Sequence, residues 1–363
     1  MNILIDVGHP AHVHYFRNLA VELKKRGNKI YWSVKDIPDA KHLLRYYSFP
    51  FLLLPRKSDT LIGKMIKQLY YDARLLLFCL RHKIGLIIGF SVTATHISRL
   101  TRIKSFVFDD DDDEVQPLIT KKVTPYSTEL FSPDSLKGKR ARKDTIFYPG
   151  FHELAYLYPK RFKPDLKVLD EAGIENGEPY FILRFNVFKA HHDKGIKGLS
   201  LEQKLKLISI LANKGKIFIT TEREIEPELE KYKLKIGTEK IHSLMSFATM
   251  FLGDSQTMTS EAAVLGIPSL RCNSFAGRIS YLEEEEHKYG LTFAFLPNEF
   301  EQLIDKLNEL IMMPNLNEEW QKRRKKLLND KVDVTAFWVW FIENYPNSKT
   351  MMEDSNNFWQ QFK

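Results

Sequence analysis

Cysteine is scarce in this sequence: Cys79 and Cys272 are the only two among 363 residues, and they cannot build a disulfide framework. Cys79 lies in an apolar helical stretch and Cys272 follows a predicted strand, so we expect a reducing, cytoplasmic setting. Long apolar runs are also missing, since the longest, 75–80, is far too short to span a bilayer. The N-terminal MNILIDVGHP has no charged segment followed by a long apolar one, so we expect no signal peptide.

Acidic residues are outnumbered by basic ones, and the formal net charge is +8 at pH 7. This charge indicates anionic partners, which could be phosphates, nucleic acid or a membrane surface. No nucleic-acid-binding motif accompanies the basic residues, so we expect no nucleic-acid partner. A solvated helix face or loop is the favoured explanation for each basic cluster.

Alternating apolar runs and amphipathic stretches predict the fold. In the first half NILIDV, KIYWSV, FPFLLLP, LIIGF and SFVFD are predicted strands, with helical stretches such as 13–25 and 61–83 between them. Repeated strand–helix–strand units indicate a parallel, doubly wound sheet. After a turn-rich region at 145–177, a second series begins with YFILRF and continues with KIFITT, MFLGD and PSLRC.

These patterns predict an α/β protein with two Rossmann-like, doubly wound domains that face each other across a cleft. We place the N-terminal domain at 1–165 and the C-terminal domain at 166–331, and we expect a C-terminal helix at 332–363 to pack back on the first domain. Ligands of such sheets bind outside the carboxyl ends of the strands, so the loops at these edges are the candidate sites.

The stretch DSQTMTSEAAVLGIPSL, at 254–270, carries the clearest functional signal. A predicted strand ends at Asp254 and a helix follows, so free backbone N–H groups and the positive end of the helix dipole face a ligand there. The hydroxyls of Ser255 and Thr257 add donors for a phosphate. Glu261, one turn further on, can accept both hydroxyls of a ribose. The structural alternative is an N-cap at Ser255 and a solvated Glu261.

The pattern D-S-x-x-x-x-x-E-A-x-x-L-G-x-P resembles the donor-binding signature of GT-B glycosyltransferases. Two relatives are similar: the UDP-N-acetylglucosamine 2-epimerases, with D-S-G-G-x-Q-E-E-A, and the glucosaminyltransferase of peptidoglycan lipid II synthesis. The resemblance implies that Glu261 holds the ribose hydroxyls of UDP and that Ser255 contacts the diphosphate. Gln256 and Thr257 replace the two glycines of the epimerase pattern, which narrows the room for phosphate oxygens.

Two further segments are candidates for donor contacts. Arg184 ends the first strand of the second domain, where its guanidinium could reach the diphosphate, although a surface salt bridge explains it equally well. The segment 240–245 lies beside the base in the resembling families, so backbone groups near Ile241 are expected to bind uracil. The predicted donor set is Arg184, Ile241, Ser255, Gln256, Thr257 and Glu261.

The segment VGHPAHVHYF leads from the first strand into the first helix and contains His9, His12 and His14. Three histidines could indicate zinc, but no distant cysteine or carboxylate is matched to them, so we expect no metal. A histidine at the carboxyl edge of a strand can instead act as a base, because it titrates near neutral pH. We predict that His12 deprotonates the acceptor, with His9 and His14 as supporting contacts. Helix capping is the structural alternative.

The opening H-P-A-H-V-H closely resembles that of an uncharacterised bacterial and archaeal family placed among the GT-B proteins. His12-Val13 matches the H-V of the loop G-G-T-G-G-H-V in the lipid II glucosaminyltransferase, whereas counting back from 19–21 favours His14 instead. Of the phosphate-binding glycines in that loop, only Gly8 is present. The resemblance implies a GT-B protein and leaves the substrate open.

The acidic run FVFDDDDDEV follows another predicted strand and so lies at the same edge. We expect Asp109 or Asp110 to orient a histidine or to bind acceptor hydroxyls. For 111–113 we expect a solvated acidic loop, because adjacent like charges repel. A metal-binding D-x-D belongs to the other large glycosyltransferase architecture. The GT-B resemblance therefore implies an enzyme without a metal or other cofactor, for which the nucleotide-sugar is a substrate.

The helical stretch 61–83 contains more apolar residues than one face can bury, and lysines and arginines decorate the rest. Most of it is predicted to be a core helix of the first domain. Its surplus apolar residues, together with the basic ones, indicate a possible peripheral contact with an anionic membrane, where a lipid-linked acceptor would wait. This would place the protein at the inner face of the cytoplasmic membrane.

Three functions are compatible with the sequence. The first is a metal-independent, inverting GT-B glycosyltransferase that transfers a sugar, from a donor expected to be UDP-linked, to a cell-surface glycan or lipid-linked acceptor. Inversion is expected because a histidine base fits it. The second is a UDP-sugar 2-epimerase, which shares the motif at 254–262 but whose opening G-T-R-P-E-A is not matched. The third is a non-catalytic nucleotide-sugar-binding protein.

Overall fold

The computed structural model describes residues 1–56, 58, 60–185, 198–221, 225–353 and 357–363. The chain folds into two compact units: unit 1 comprises Met1–Tyr156 and Lys331–Lys363, and unit 2 comprises Leu157–Asp330. Each unit contains a parallel sheet with helices, so the predicted α/β class with two Rossmann-like units is confirmed. Within the described ranges, no helix is both long and apolar enough to cross a membrane.

Unit 1 is built on a seven-stranded parallel sheet with the order β3-β2-β1-β4-β5-β6-β7. Its strands are β1 (Asn2–Val7), β2 (Lys29–Lys35), β3 (Phe51–Leu54), β4 (Leu86–Gly89), β5 (Lys104–Phe108), β6 (Glu129–Pro133) and β7 (Ile146–Tyr148). Its helices before unit 2 are α1 (Pro10–Lys25), α2 (Pro38–Tyr46), α3 (Leu61–Arg81), α4 (Val92–Leu100), α5 (Pro117–Lys122) and α6 (Leu154–Leu157), of which α6 crosses the division. The strand order reverses between β1 and β4, and such a switch point is where doubly wound sheets bind ligands.

The centre of this sheet is held by one buried carboxylate among apolar neighbours. Ile3, Leu4 and Ile5 of β1 are fully buried, as expected for a strand covered on both faces. Asp6 is also buried, and it accepts hydrogen bonds from the Ser33 hydroxyl, at 2.6 Å, and from the Ser91 hydroxyl. These bonds satisfy the carboxylate and join β1 to β2 and to the start of α4.

Unit 2 is built on a five-stranded parallel sheet with the order β12-β11-β10-β8-β9. Its strands are β8 (Tyr180–Arg184), β9 (Lys216–Thr220), β10 (Met250–Gly253), β11 (Ser269–Cys272) and β12 (Thr292–Phe295). Its helices are α7 (Lys167–Glu171), α8 (Leu201–Leu211), α9 (Ile241–Met245), α10 (Gln256–Leu265), α11 (Ser280–Glu283), α12 (Phe300–Ile311) and α13 (Leu316–Asp330). Gly266 ends α10 with φ 75°, the left-handed conformation that glycine adopts at low cost.

The division between the units lies nine residues before the predicted boundary, at 156/157 instead of 165/166. The intervening segment packs against unit 2: the backbone N–H of Asp165 donates to Ser243 Oγ at 3.2 Å, and the Phe162 ring lies 6.3 Å from that of His242. Unit 1 therefore ends within the predicted turn-rich region, earlier than the boundary that the composition of this region indicated.

The C-terminal segment belongs to unit 1 but is not the single helix predicted at 332–363. It forms α14 (Val334–Asn344) and α15 (Ser348–Glu353). Tyr345 is extended, with ψ 134°, because the residue before a proline is disfavoured in helical conformation. Trp338 of α14 is fully buried, with its ring 4.5 Å from that of Phe108 and 5.8 Å from that of Phe16. The segment thus completes the core of unit 1.

Candidate functional site

The carboxyl ends of neighbouring strands in unit 2 bring the predicted donor residues to one edge of the sheet. Arg184, the last residue of β8, pairs in register with Gly253 of β10, and its carbonyl accepts from the backbone N–H of Asp254 at 3.1 Å. A Cβ atom on Gly253 would lie 2.2 Å from that carbonyl oxygen, so only glycine permits this approach. Arg184 Nη1 donates to Thr220 Oγ1 at 3.2 Å, which holds the half-buried guanidinium at the edge.

Helix α10 begins at this edge, directly after Asp254 and the N-cap Ser255. Ser255 is the N-cap, and its Oγ accepts from the backbone N–H of Met258 at 3.3 Å. The capping role leaves the hydroxyl proton free to donate elsewhere, so capping and phosphate binding are compatible. Gln256 and Thr257, the first two residues of α10, are half-buried, and the first turn carries no acidic side chain. The helix dipole therefore favours an anion here.

Glu261 is not the solvated helix residue of the structural alternative. Its side chain is 6 % exposed, and its Oε1 lies 2.8 Å from Nε2 of His242, which is equally excluded from water. His242 belongs to α9, the short helix that begins at Ile241 and was predicted to lie beside the base. The two helices are thus joined by a buried carboxylate–imidazole pair. Sequence reasoning missed His242, although it is the only titratable side chain within α9.

The strand next to β10 adds residues that the sequence did not indicate. Asn273, which follows β11, donates from Nδ2 to the carbonyl of Asp254 at 2.8 Å and accepts from Arg271 Nη1 at 3.1 Å. Burial lowers the pKa of the Arg271 guanidinium, whose Nε and Nη2 have no hydrogen-bond partner within the described ranges. These hydrogen bonds hold Asp254, which immediately precedes the N-cap of α10, in place.

Unit 2 also has a group of side chains that could hold a metal ion. Glu283, Glu286 and His287 offer ligand atoms within 4.8 Å of one another, and no other such group occurs within the described ranges. His287 is exposed and Glu286 already accepts from the backbone N–H of Ala294 at 3.1 Å. Exposed acidic groups of this kind are common without an ion. We assign no metal role to them.

In unit 1 the predicted histidines lie at the start of α1. His9 is the N-cap, and its Nδ1 accepts from the backbone N–H of Ala11 at 3.2 Å, as the capping alternative stated. His12 Nδ1 accepts from the backbone N–H of Gly8 at 3.3 Å, and its ring lies 6.0 Å from that of Tyr15. Because Nδ1 is the acceptor in both rings, the neutral form of each carries its proton on Nε2.

His14 faces the interior of unit 1. It is buried and stacks on the ring of Tyr156 at 5.4 Å, while its Nδ1 lies 3.3 Å from Nη1 of Arg17. These contacts hold α1 against the segment that ends unit 1. His14 is therefore packed inside unit 1, whereas His12 is half-buried.

The acidic run after β5 is not the solvated loop expected for 111–113. The Arg140 side chain is 1 % exposed and pairs with Asp109 Oδ2 at 3.0 Å and with Asp113 Oδ1 at 2.6 Å. Asp112 is buried as well. Burial raises the pKa of Asp109 to about 6, even though Arg140 opposes the shift. The expectation of a solvated loop was wrong because Arg140, 27 positions further along the chain from Asp113, pairs with two members of the run and offsets part of their repulsion.

Asp110, from the same run, lies beside a histidine. Its Oδ2 is 3.0 Å from Nδ1 of His152, a buried residue that follows β7. Burial opposes ionisation of Asp110, but His152 and Arg140 together with a backbone hydrogen bond outweigh it, so the pKa of the Asp110 carboxyl is lowered. The His152 ring lies 4.9 Å from that of Tyr15, the neighbour of His12. His152 was missed because it lies in the region read as turn-rich and irregular.

The fold is of the GT-B type, and solved structures that share it include both glycosyltransferases and 2-epimerases. A structure of UDP-N-acetylglucosamine 2-epimerase matches with a TM-score of 0.66 and 15 % identity, covering 95 % of each chain. The spinosyn rhamnosyltransferase SpnG, solved with thymidine diphosphate, matches with a TM-score of 0.62 and 11 % identity, covering 94 % of this chain and all of the other. The predicted GT-B fold is thereby confirmed.

The chain belongs to the family described as "Protein of unknown function (DUF354)", whose model matches residues 1–283. The predicted membership of an uncharacterised family is confirmed, and the chain has the GT-B type of fold. A relative, "Uncharacterized protein MJ0665" of Methanocaldococcus jannaschii, is 24 % identical over 308 residues, which cover 79 % of this chain and 86 % of that protein.

Proposed function

We propose that this protein is a GT-B glycosyltransferase that takes a sugar from a nucleotide-sugar, a UDP-sugar in the first instance, and transfers it to a cell-surface glycan or lipid-linked acceptor. The observation that carries the proposal is Glu261. It is a buried carboxylate, held by His242 at 2.8 Å, inside a helix whose first turn has no acidic side chain. A purely structural helix gains little from a carboxylate in this position, because burying it costs free energy.

The donor would bind to unit 2 through groups of different chemistry. The diphosphate would lie against the first turn of α10, with Ser255 and Thr257 as hydroxyl donors and the guanidinium of Arg184 as counter-charge. Glu261 would accept the ribose hydroxyls, and the backbone near Ile241 would contact the base. The rigid position of the Glu261 carboxylate would favour this binding, because a preorganised group loses less entropy when the donor binds.

Removal of the proton from the acceptor is assigned to unit 1. His12 is our candidate base, supported by His9, and the reaction would be inverting and independent of metal. To take a proton on Nε2, neutral His12 must move its own proton to Nδ1 and give up the bond from Gly8, which costs about 1 kcal/mol. Asp109 and Asp110 would act through neighbours, since Asp109 is bound to Arg140 and Asp110 lies against His152.

A UDP-sugar 2-epimerase is the second candidate function. The observation in its favour is the carboxylate-rich edge of unit 1, because elimination chemistry needs several carboxylates around the sugar. Burial and the neighbouring aspartates raise the pKa of Asp111, which would make it a proton donor at neutral pH. A third candidate, a non-catalytic nucleotide-sugar-binding protein, would bind the donor without turnover.

The proposed setting is the cytoplasm, at the inner face of the cytoplasmic membrane, in the biosynthesis of cell-surface polysaccharide. This setting follows from the kind of acceptor that we propose and rests on analogy with related enzymes. A peripheral membrane contact through residues 61–83 would bring the protein close to such an acceptor.

Titration with nucleotides is the direct test of the donor site. We expect one nucleotide family among UDP, GDP, CMP and their sugar conjugates to raise the melting temperature, because a ligand of the native state stabilises it. Glu261→Gln should abolish the shift, while Glu318→Gln, on the exposed face of α13, should leave it unchanged. A melting temperature that no nucleotide raises would remove the proposal. Turnover of a UDP-sugar to its 2-epimer without acceptor would establish the second candidate instead.

His12→Ala is expected to slow transfer on the order of a hundredfold while leaving donor affinity unchanged, since a general base typically contributes at least this factor. The measurement is release of nucleoside diphosphate, with water as the acceptor, alongside the donor titration. His42→Ala is the matched control, because His42 is an exposed histidine of α2 in the same unit. Equal rates for His12→Ala and wild type would exclude His12 as the base.

A further inference from the structure

Helix α3 of unit 1 has two apolar faces, and only one of them is buried. Tyr71, Leu75 and Cys79 point inward and pack in a core cluster with Leu4 and Ile87. The opposite face is exposed over the whole helix. Its large members are 58 % to 73 % exposed, apart from Tyr70 at 43 %: Ile62, Met65, Ile66, Leu69, Tyr70, Leu77 and Leu80.

These exposed side chains form one continuous stripe, which we call the α3 face. At 3.6 residues per turn they fall within an arc of about 140°, and the 21 residues of α3 extend for about 30 Å. Monomeric proteins rarely expose a contiguous apolar patch of this length, and such patches mark interaction sites. The stripe lies opposite the buried face, so its residues cannot be explained as part of the core.

The charged side chains of α3 indicate which kind of partner fits this face. Lys67, Arg74 and Arg81 follow one another along one edge of the stripe, and Lys64 lies at the N-terminal end. The helix carries a single carboxylate, Asp72, which is already occupied by His96 Nδ1, at 2.6 Å, and by Gln68 Nε2, at 2.7 Å. The accessible charge beside the apolar stripe is therefore entirely positive.

We propose that the α3 face is a docking surface for an anionic lipid bilayer, with the helix lying in the plane of the interface. Apolar side chains would enter the boundary between headgroups and acyl chains while the basic edge pairs with lipid phosphates. A second copy that docked through its own α3 face fits less well, because that face would bring cations and no accessible carboxylate to the basic edge. The role of this surface in meeting a lipid-linked acceptor rests on the proposed function, whereas its affinity for lipid does not.

Vesicle flotation of the full chain tests the surface. Wild type should float with vesicles of phosphatidylcholine and phosphatidylglycerol, and less with phosphatidylcholine alone or at high salt. Leu69→Ser/Leu77→Ser should weaken partitioning by about tenfold or more, because two bulky apolar groups are lost from the interface. Leu118→Ser/Met312→Ser is the matched control, since these side chains are 75 % and 80 % exposed outside α3; it should float like wild type.

A second variant separates charge from apolar contact. Lys67→Gln/Arg74→Gln/Arg81→Gln should remove the preference for phosphatidylglycerol while leaving the weak binding to phosphatidylcholine. All substituted side chains are exposed or half-buried, so melting temperatures should equal that of wild type.

Two results would overturn the proposal. One is wild-type protein that stays unbound with every vesicle. The other is a lipid-free dimer, detected by light scattering, that Leu69→Ser/Leu77→Ser converts to monomer, because the α3 face would then be an interface between copies. Donor binding is measured in a separate experiment. Absence of donor binding would refute the proposed function and leave the proposed lipid-binding surface unaffected, whereas absence of lipid binding would refute the surface and leave the proposed function unaffected.

Discussion

Replacing Glu261 by alanine is expected to lower the free energy of unfolding by about 3 kcal/mol. The carboxylate and His242 are 2.8 Å apart, and both side chains are almost completely excluded from water. Removing one member of a buried polar pair leaves the other desolvated without the group that compensated it. Urea denaturation of wild type and variant measures the loss, which should appear as a lower midpoint with an unchanged slope.

Glu261→Gln separates the structural role of this residue from its proposed role in binding. The amide keeps an oxygen that can accept from His242, so the variant should remain within about 1 kcal/mol of wild type. It has one acceptor oxygen instead of two, so it should no longer hold both ribose hydroxyls. A stable Glu261→Gln protein that binds no donor supports both roles. Equal stability of Glu261→Ala and wild type would show that the pair with His242 contributes nothing to the fold.

Replacing Arg140 by methionine is expected to destabilise unit 1 by about 3–5 kcal/mol. The guanidinium pairs with Asp109 and Asp113, and it also donates to Ser132 Oγ at 3.0 Å. Without it, several carboxylates of one short run would repel one another in a buried place. The measurement is denaturant unfolding at neutral pH. Arg26→Met is the comparison, because the Arg26 side chain is 51 % exposed and pairs with Glu343 on the surface of the same unit. Unchanged stability of Arg140→Met would show that the run is solvated after all.

The same cluster sets a dependence of stability on pH. The folded-state pKa of Asp109 is about 6, above its ordinary value of 3.8, because burial penalises the charged form. The folded protein therefore binds more protons than the unfolded chain between about pH 4 and pH 6, and this contribution to stability is lost as the pH rises through that window. Asp109→Asn should flatten the fall in unfolding free energy from pH 4 to pH 7. An identical pH profile in wild type and Asp109→Asn would exclude this residue as the cause.

Much of the fold could be read from the sequence because its signals are local. Strand β1 was predicted as NILIDV and is observed at Asn2–Val7, since a short apolar run between a loop and a helix start has no competing interpretation. Strands β6 and β7 were missed, because ELFSP and IFY are short and lie among prolines and charged residues. β6 pairs with β5 and β7 pairs with β6, and both pairings depend on tertiary contacts that no local pattern encodes.

The sequence indicated where in the fold the candidate residues lie, but it indicated less well which side chains pair with one another. The loops after β1, β5 and β10 were expected to hold chemistry, and the histidines, aspartates and α10 residues lie there. The partners His242, Arg140 and His152 were not found, because each is brought to its carboxylate by the fold from 19 to 42 positions away along the chain. Residues this far apart in the sequence share no periodic pattern that could reveal their contact.

The path of the chain has a consequence for how the protein is made. The core of unit 1 is completed by Trp338 and the rest of α14, which the ribosome makes only after the whole of unit 2. Unit 2 is continuous in sequence, so it can fold before α14 has been made. Until then Phe16 and Phe108 lack this packing partner, and we expect the nascent chain to be prone to aggregation.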